Sequence, residues 1–199
     1  MKLRVPSTLL AVAVALPLTP LRAEEEPPYD VDQKEVVSEK PPFKLERPND
    51  SWLFIKLDKL QERLRARGED TTGFRNLRAR LWWGAAKANL FFFGYADPSA
   101  RDLEALGKAR LEQVKGSLLD SKVKSAKMAR IGKRPAFVFE VEGRPRREGA
   151  KPLVVVYAIS IREEDAHVFE LQLEAEAGNE RIKDAREDFQ KLLKSKLKL

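Results

Sequence analysis

The chain has 199 residues, of which 43% are hydrophobic and 35% are charged, and its formal net charge is +7. This length and composition predict one folded domain with appendages. The absence of cysteine excludes disulfides, thiolate nucleophiles and zinc sites of the cysteine type.

The first residues have the pattern of a secretory signal peptide. Lys2 and Arg4 form a positive n-region, residues 9–18 form an apolar region, and the segment ends on the small residue Ala23. The apolar run, about ten residues long, is too short to span a bilayer. We therefore predict a signal peptide over 1–23, a periplasmic or secreted protein, and no transmembrane segment in the mature chain. The alternatives are an N-terminal anchor helix or a buried helix.

Cleavage after Ala23 would leave 35 basic and 31 acidic residues, a net charge of +4. So mild a charge gives little support to nucleic acid binding or to general membrane binding. Residues 24–41 are acidic and contain proline, which predicts a flexible lead-in. The folded domain is then expected over 42–199.

The first half of this domain has the spacing of short strands and one helix. Alternating and aromatic-rich runs predict four strands, and a thin apolar stripe predicts a surface helix with Gly68 at its C-terminal end. The predicted elements are, in order, strands over 43–47 and 51–57, a helix over 58–70, and strands over 77–86 and 88–95. The last two strands carry apolar side chains on both faces, which is typical of a covered sheet.

The second half begins with a helix that has one apolar face and Ser99 as its predicted N-cap. Four strands and a C-terminal helix follow, over 123–130, 136–142, 153–161, 167–175 and 182–193. In the last strand Glu170, Gln172 and Glu174 alternate with apolar residues, so one face is expected to be buried and the other wet. Runs of adjacent strands imply antiparallel pairing. We predict an α+β domain with an antiparallel β-sheet covered by helices on both faces.

Several segments also carry a family resemblance: FKLERPNDSW, DLEALGKARLEQVKGSL, AKMARIGKRPAFVFEVEG, VVVYAISIREEDAHVFELQLEAE and DFQKLLKSKL. Together they resemble the PsbP-like fold of the extrinsic photosystem II subunit, the Ran-binding Mog proteins and several bacterial exported domains. The resemblance covers 42–199, with the helix over 58–70 as an insertion and a basic tail as a second departure. It implies an α/β/α sandwich that acts as a binding or assembly module, and it implies no catalytic set. It transfers no site residue.

Two groups of residues are candidate binding sites. The first is a basic cluster around one hairpin, formed by Lys133, Arg134, Arg144, Arg146, Arg147 and Lys151. It predicts contact with phospholipid headgroups, cell-wall polymers or an acidic protein face, although a solvated loop has the same composition. The second is a ligand pocket beside the aromatic strands, near Trp82, Trp83 and Tyr95.

The sequence indicates no catalytic, cofactor or metal site. His167 is the only histidine, and no local acid or nucleophile accompanies it in the manner of a catalytic group. Glu163, Glu164 and Asp165 fit a solvated turn, because calcium requires six to eight oxygens on a spaced loop. The basic end KLLKSKLKL fits the end of a helix better than a membrane-surface segment.

These observations predict an exported, non-catalytic binding or assembly module of the bacterial cell envelope. Its expected partner is an envelope protein or an anionic surface. The alternative is a periplasmic module that binds a small molecule or lipid in a pocket near the aromatic strands. Nucleic acid binding is disfavoured by export and by the modest mature charge.

Overall fold

The computed structural model describes residues 29–30 and 32–199. The α-helices of this part are α1 (Leu57–Ala66), α2 (Leu103–Ser117) and α3 (Ile182–Lys191). Its strands are β1 (Tyr29–Asp30), β2 (Glu35–Glu39), β3 (Pro42–Glu46), β4 (Leu53–Ile55), β5 (Leu77–Trp83), β6 (Ala88–Ala96), β7 (Leu118–Ile131), β8 (Arg134–Pro145), β9 (Leu153–Arg162), β10 (His167–Glu176) and β11 (Leu197–Lys198). The predicted signal peptide and residues 24–28 lie outside this part.

The strands form two antiparallel sheets. The large sheet has the order β1-β4-β5-β6-β10-β9-β8-β7, and the small sheet has the order β11-β3-β2. Strands β7 to β10 follow one another as hairpins, whereas β6 pairs with β10. The connection from β6 to β7 therefore crosses to the far edge of the sheet, and it contains α2, which packs on β7, β8 and β9.

Both faces of the large sheet are covered. One face, the α3 face, packs against α3 and the small sheet around Phe92 and Phe189. The other, the α2 face, packs against α2 around Phe139 and Tyr157, and against α1 around Phe91. The predicted α/β/α sandwich with an antiparallel sheet is confirmed. None of the helices in the described part is long and apolar enough to cross a membrane.

The aromatic strands divide between the two faces as their alternation predicts. Leu81, Leu90 and Phe92 belong to the core of the α3 face, and Phe91 and Phe93 pack with α1 on the α2 face. This aromatic stretch is therefore part of the centre of the sheet, where both faces are covered.

Helix α2 begins later than the sequence predicts, and the assignment of Ser99 as its N-cap is wrong. The Asp97 carboxylate accepts hydrogen bonds from Ser99 N at 2.9 Å and from Ser99 Oγ at 2.6 Å, which holds Ser99 in a turn. Asp102 caps the helix instead, because its side chain accepts a hydrogen bond from Ala105 N at 2.9 Å. A carboxylate at this position also interacts favourably with the helix dipole.

The two ends of the domain meet in the small sheet. Strand β2 lies in the stretch for which the sequence indicates a flexible lead-in, and it pairs with β3 over five positions. At the C-terminus, a π-helical turn over Leu192–Lys196 follows α3, and β11 then pairs with β3. The tail therefore does not end as a helix, and Leu197 is buried in the core.

Candidate functional site

A buried polar cluster lies where α2 meets the middle of the large sheet. The Oε1 atom of Glu170 accepts a hydrogen bond from the Tyr95 hydroxyl at 2.7 Å and lies 2.6 Å from Arg110 Nη2. The Tyr157 hydroxyl donates to the other carboxylate oxygen of Glu170, and Arg110 Nη1 donates to Gln113. The cluster joins α2 to three strands, β6, β9 and β10.

Burial determines the charge states in this cluster. Burial and the negative charge of Glu170 raise the pKa of both Tyr95 and Tyr157 well above the ordinary phenol value, so both remain protonated donors. Burial opposes the charge of Arg110, but Glu170 outweighs it and holds the pKa of Arg110 above its ordinary value. Since both oxygens of Glu170 accept hydrogen bonds, the cluster is best suited to fixing α2 on the sheet.

A second buried polar group lies farther along β10. Gln172 Nε2 donates to Glu174 Oε1 at 2.5 Å, and Glu174 is directly opposite Asn89 of β6. Arg80 donates to Asn89 Oδ1 at 2.7 and 3.1 Å. Burial raises the pKa of Glu174 to about 7, against the opposing effects of Arg80 and Gln172. This carboxyl therefore changes charge near neutral pH.

The prediction of a wet face on β10 is wrong. Glu170, Gln172 and Glu174 are only 3%, 7% and 6% exposed. They lie between β6 and β9, whose side chains at the neighbouring positions include Phe93, Phe91, Ile159 and Tyr157. Because the α2 face of the sheet is covered, the polar side of β10 is enclosed with it, and Arg110 supplies the compensating charge at Glu170.

The six residues of the predicted basic cluster fall into two groups at opposite ends of β8. Arg134 begins this strand and Arg144 lies near its end, so the two are separated by about 33 Å. Arg134, Arg144 and Lys151 each lie within 3.2 Å of an acidic side chain. The group near the end of β8 comprises Arg144, Arg146, Arg147 and Lys151.

The hairpin between β7 and β8 lies instead beside the basic C-terminus. Gly132 N donates to the carbonyl oxygen of Leu193 at 2.7 Å, and Arg134 Nε donates to the carbonyl oxygen of Leu199 at 3.3 Å. Within residues 29–30 and 32–199, four exposed cations of this region make no ion pair. We call these four residues the basic end: Arg130, Lys133, Lys194 and Lys198.

Comparison with known proteins identifies the fold. No protein-family model and no curated protein sequence matches the chain. The solution structure of cyanobacterial PsbP (CyanoP) from Synechocystis sp. PCC 6803 matches with a TM-score of 0.56 and 9% identity, over 92% of this chain and 98% of that one. The chain has the PsbP-like fold.

Two further solved structures share this PsbP-like fold. The Ran-binding protein Mog1p of Saccharomyces cerevisiae matches with a TM-score of 0.52 and 9% identity, over 85% of this chain and 96% of that one. A Bacteroides thetaiotaomicron protein matches with a TM-score of 0.51 and 11% identity, over 83% of this chain but 47% of its own. At these identities the PsbP-like fold is common to the proteins, and no site residue is transferred.

The three aromatic residues predicted to line a pocket are dispersed in the PsbP-like domain. Trp83 packs against Trp52 on the α3 face, with 5.6 Å between ring centroids. Trp82 is opposite Asn89 on the other face, whereas Tyr95 joins the Glu170 cluster. Along β6, Asn89 and Tyr95 are about 20 Å apart. The structure therefore brings no two of these three residues into one pocket.

The histidine and the acidic turn of the PsbP-like domain contact each other. His167 Nδ1 lies 3.0 Å from Asp165 Oδ2, and Asp165 also pairs with Arg162 at 2.6 Å. The guanidinium of Arg162 holds the pKa of the Asp165 carboxyl below its ordinary value. Across the residues that the structure describes, no group of three or more histidine, aspartate or glutamate side chains is arranged to hold a metal ion.

Proposed function

We propose that this protein is an exported, non-catalytic binding or assembly module of the bacterial cell envelope, and that it docks an anionic partner through the basic end. Residues 1–23 act as its signal peptide, and the PsbP-like domain is the mature module. The partner is an acidic face of an envelope protein or an anionic surface.

The observation that carries this proposal is the convergence of two basic segments that are distant in sequence. The backbone hydrogen bond between Gly132 and Leu193 joins the β7–β8 turn to the C-terminal turn. The two joined segments carry four exposed cations without ion pairs in the described residues, and these cations attract negative charge without first breaking an internal contact. One protein with the same fold is a Ran-binding protein, which supports the use of the fold as a binding scaffold.

The test neutralises the basic end in the full-length protein. Replacing Arg130, Lys133, Lys194 and Lys198 with Gln is expected to abolish cross-linking to envelope partners and to reduce the salt dependence of that binding. A control variant carries the same charge change at exposed cations elsewhere, replacing Lys34, Lys56, Arg101 and Lys183 with Gln. The control should cross-link as the wild type does.

A second arm of the same experiment measures retention on lipid vesicles and so distinguishes a membrane surface from a protein partner. Retention on vesicles that contain anionic lipid, but not on purely zwitterionic vesicles, would assign the basic end to a membrane surface. A cross-linked protein without vesicle retention would assign it to a protein partner. Equal binding by the two neutralised variants would refute the role of the basic end, and uncleaved precursor in the cytoplasm of expressing cells would refute export.

A further inference from the structure

Strand β7 forms one edge of the large sheet. It runs from Leu118 to Ile131, and it pairs with β8 on one side and with no described strand on the other. An edge strand presents unpaired backbone N–H and C=O groups that match the edge of another strand. At 14 residues, β7 is long for such an edge.

The middle of β7 is open to solvent. Every residue from 122 to 128 is exposed, whereas the ends Leu118 and Ile131 are buried. Large apolar side chains are among the exposed ones: Val123 is 43% exposed and Met128 is 49% exposed. Both lie on the α2 face, because they are opposite Val141 and Phe137 of that face.

The edge has one regular segment. Pairing with β8 shifts register between Leu119 and Lys122 and again between Val123 and Ser125, but it is continuous over 125–131. Irregular pairing near the start of β7 hinders strand addition there. The regular segment is about as long as an average strand, so it can accept one added strand of ordinary length.

The charge of the edge determines what can pair with it. Residues 121–131, SKVKSAKMARI, include four basic residues and no acidic one. Lys124 pairs with Glu142 at 2.9 Å, whereas Lys122, Lys127 and Arg130 make no ion pair within the described part of the chain. A second copy of this chain would place cations against cations along the edge, and like charges on facing strands are destabilising.

Each face of the segment carries one cation. Lys127 is opposite Val138 and therefore lies on the α3 face, whereas Met128 is opposite Phe137 and lies on the α2 face. An added strand has its side chains alternating between the same two faces. Arg130 is opposite Pro135, two positions from Phe137, and therefore lies on the α2 face beside Met128. The fitting sequence is therefore acidic, with carboxylates beside Lys127 and Arg130 and an apolar side chain beside Met128.

We propose that β7 binds an extended acidic segment of a partner protein, with an apolar residue beside Met128, as an added strand along 125–131. Main-chain hydrogen bonds supply affinity, and the Lys127 and Met128 sides of the edge supply specificity. The inference rests on the proposed function, because it makes the anionic partner a protein whose acidic segment continues from β7 towards the basic end.

The test uses a defined peptide and the ¹⁵N-labelled full-length protein. The probe is a blocked nine-residue peptide of alternating Val and Glu, and the comparison peptide has Lys in place of Glu. At about 1 mM, the acidic peptide is expected to slow hydrogen exchange of edge amides within 125–131 by about tenfold, and the basic peptide is not. Lys122→Glu with Lys127→Glu should remove the effect, while Lys34→Glu with Lys183→Glu should retain it.

Three other outcomes of these experiments would contradict, in turn, strand addition, the acidic partner and the proposed function. Unchanged exchange at 125–131 with the acidic peptide overturns strand addition, even if the basic end still cross-links a partner. Protection of 125–131 without peptide, accompanied by a concentration-dependent dimer in sedimentation, overturns the acidic partner in favour of a second copy. Protection by the acidic peptide without any cross-linked envelope partner overturns the proposed function and leaves the β7 site intact.

Discussion

Arg110 and Glu170 form a 2.6 Å ion pair in the interior, between helix α2 and strand β10. The side chains are 10% and 4% exposed, and the hydroxyls of Tyr95 and Tyr157 donate to the same carboxylate. A charge pair that is removed from water depends on its counter-charge and its hydrogen bonds, because each partner alone would be an uncompensated buried charge. The pair therefore controls how firmly α2 is attached to the sheet.

Arg110→Ala is expected to lower the free energy of unfolding by about 3–5 kcal/mol, because it leaves the buried Glu170 carboxylate without its counter-charge. Urea denaturation measures this loss. The control is Lys108→Ala on the same helix, which removes an exposed pair with Glu104 and should cost less than about 1 kcal/mol. Equal losses in the two variants would contradict a structural role for the buried pair.

Replacing both buried partners separates charge from packing. Arg110→Met with Glu170→Leu removes the ion pair without leaving one charge alone, so we expect the double variant to be more stable than Arg110→Ala. The remaining cost reflects the hydroxyls of Tyr95 and Tyr157, which lose their acceptor. Urea denaturation of both variants at one pH gives the comparison. If the double variant is no more stable than Arg110→Ala, the loss of stability comes from altered packing and not from an unpaired buried charge.

Glu174 makes stability depend on pH near neutrality. Its pKa is raised from 4.5 to about 7 in the folded state, so the folded protein holds the proton more tightly than the unfolded chain. Stability from this group is complete below pH 4.5 and is lost as pH rises to about 7. The total change is about 3 kcal/mol.

Glu174→Gln is expected to abolish this dependence. The variant and the wild type should have similar stability at acidic pH, and the variant should be more stable by about 3 kcal/mol above neutrality. Urea denaturation of both proteins across the pH range gives the difference, in which the titration of all other groups cancels. A difference that does not change with pH would show that Glu174 titrates like an exposed carboxyl.

The main strands and the layers that cover both faces of the sheet could be predicted from the sequence. The burial of the polar side chains of β10 could not. Alternation reports which side chains of a strand are polar, and Glu170, Gln172 and Glu174 alternate as residues of a wet face do. It does not report whether a helix crosses that face. A signal was nevertheless present, since Arg110 lies three residues after Gly107 and four before Val114, on the buried side of α2.

The basic end also could not be predicted from the sequence, but the reason is different. Gly132 and Leu193 are far apart in the chain, and only the packing of the β7–β8 turn on the C-terminal turn brings them into contact. The six cations near the hairpin are close in sequence, yet the extended length of β8 separates Lys133 from Arg144. Proximity in sequence therefore grouped six cations that β8 holds apart, and it missed the basic end, which forms only when two distant turns pack together.

Asp188 connects α3 to the loop before β4. Its Oδ2 atom accepts hydrogen bonds from Asn49 at 2.6 Å and from the indole N–H of the fully buried Trp52 at 3.0 Å. Asp188→Ala should cost about 1–3 kcal/mol, because the indole N–H would lose its acceptor. Thermal or urea unfolding measures this loss, and Asp184→Ala, which removes an exposed pair with Arg181, is the control. An equally small loss in both would contradict the role of Asp188.

Gly107 is required by the close approach of α2 to β8. A Cβ atom at this position would lie 2.3 Å from Cγ of Phe137, a buried ring that cannot move freely. Gly107→Ala is therefore expected to destabilise the protein by about 1–3 kcal/mol or to shift α2 outward. Gly116→Ala in the same helix meets no atom within 4 Å, and it should stabilise the protein by about 0.5–1 kcal/mol. Opposite signs in urea denaturation would confirm the contact between α2 and β8, and the same sign for both would contradict it.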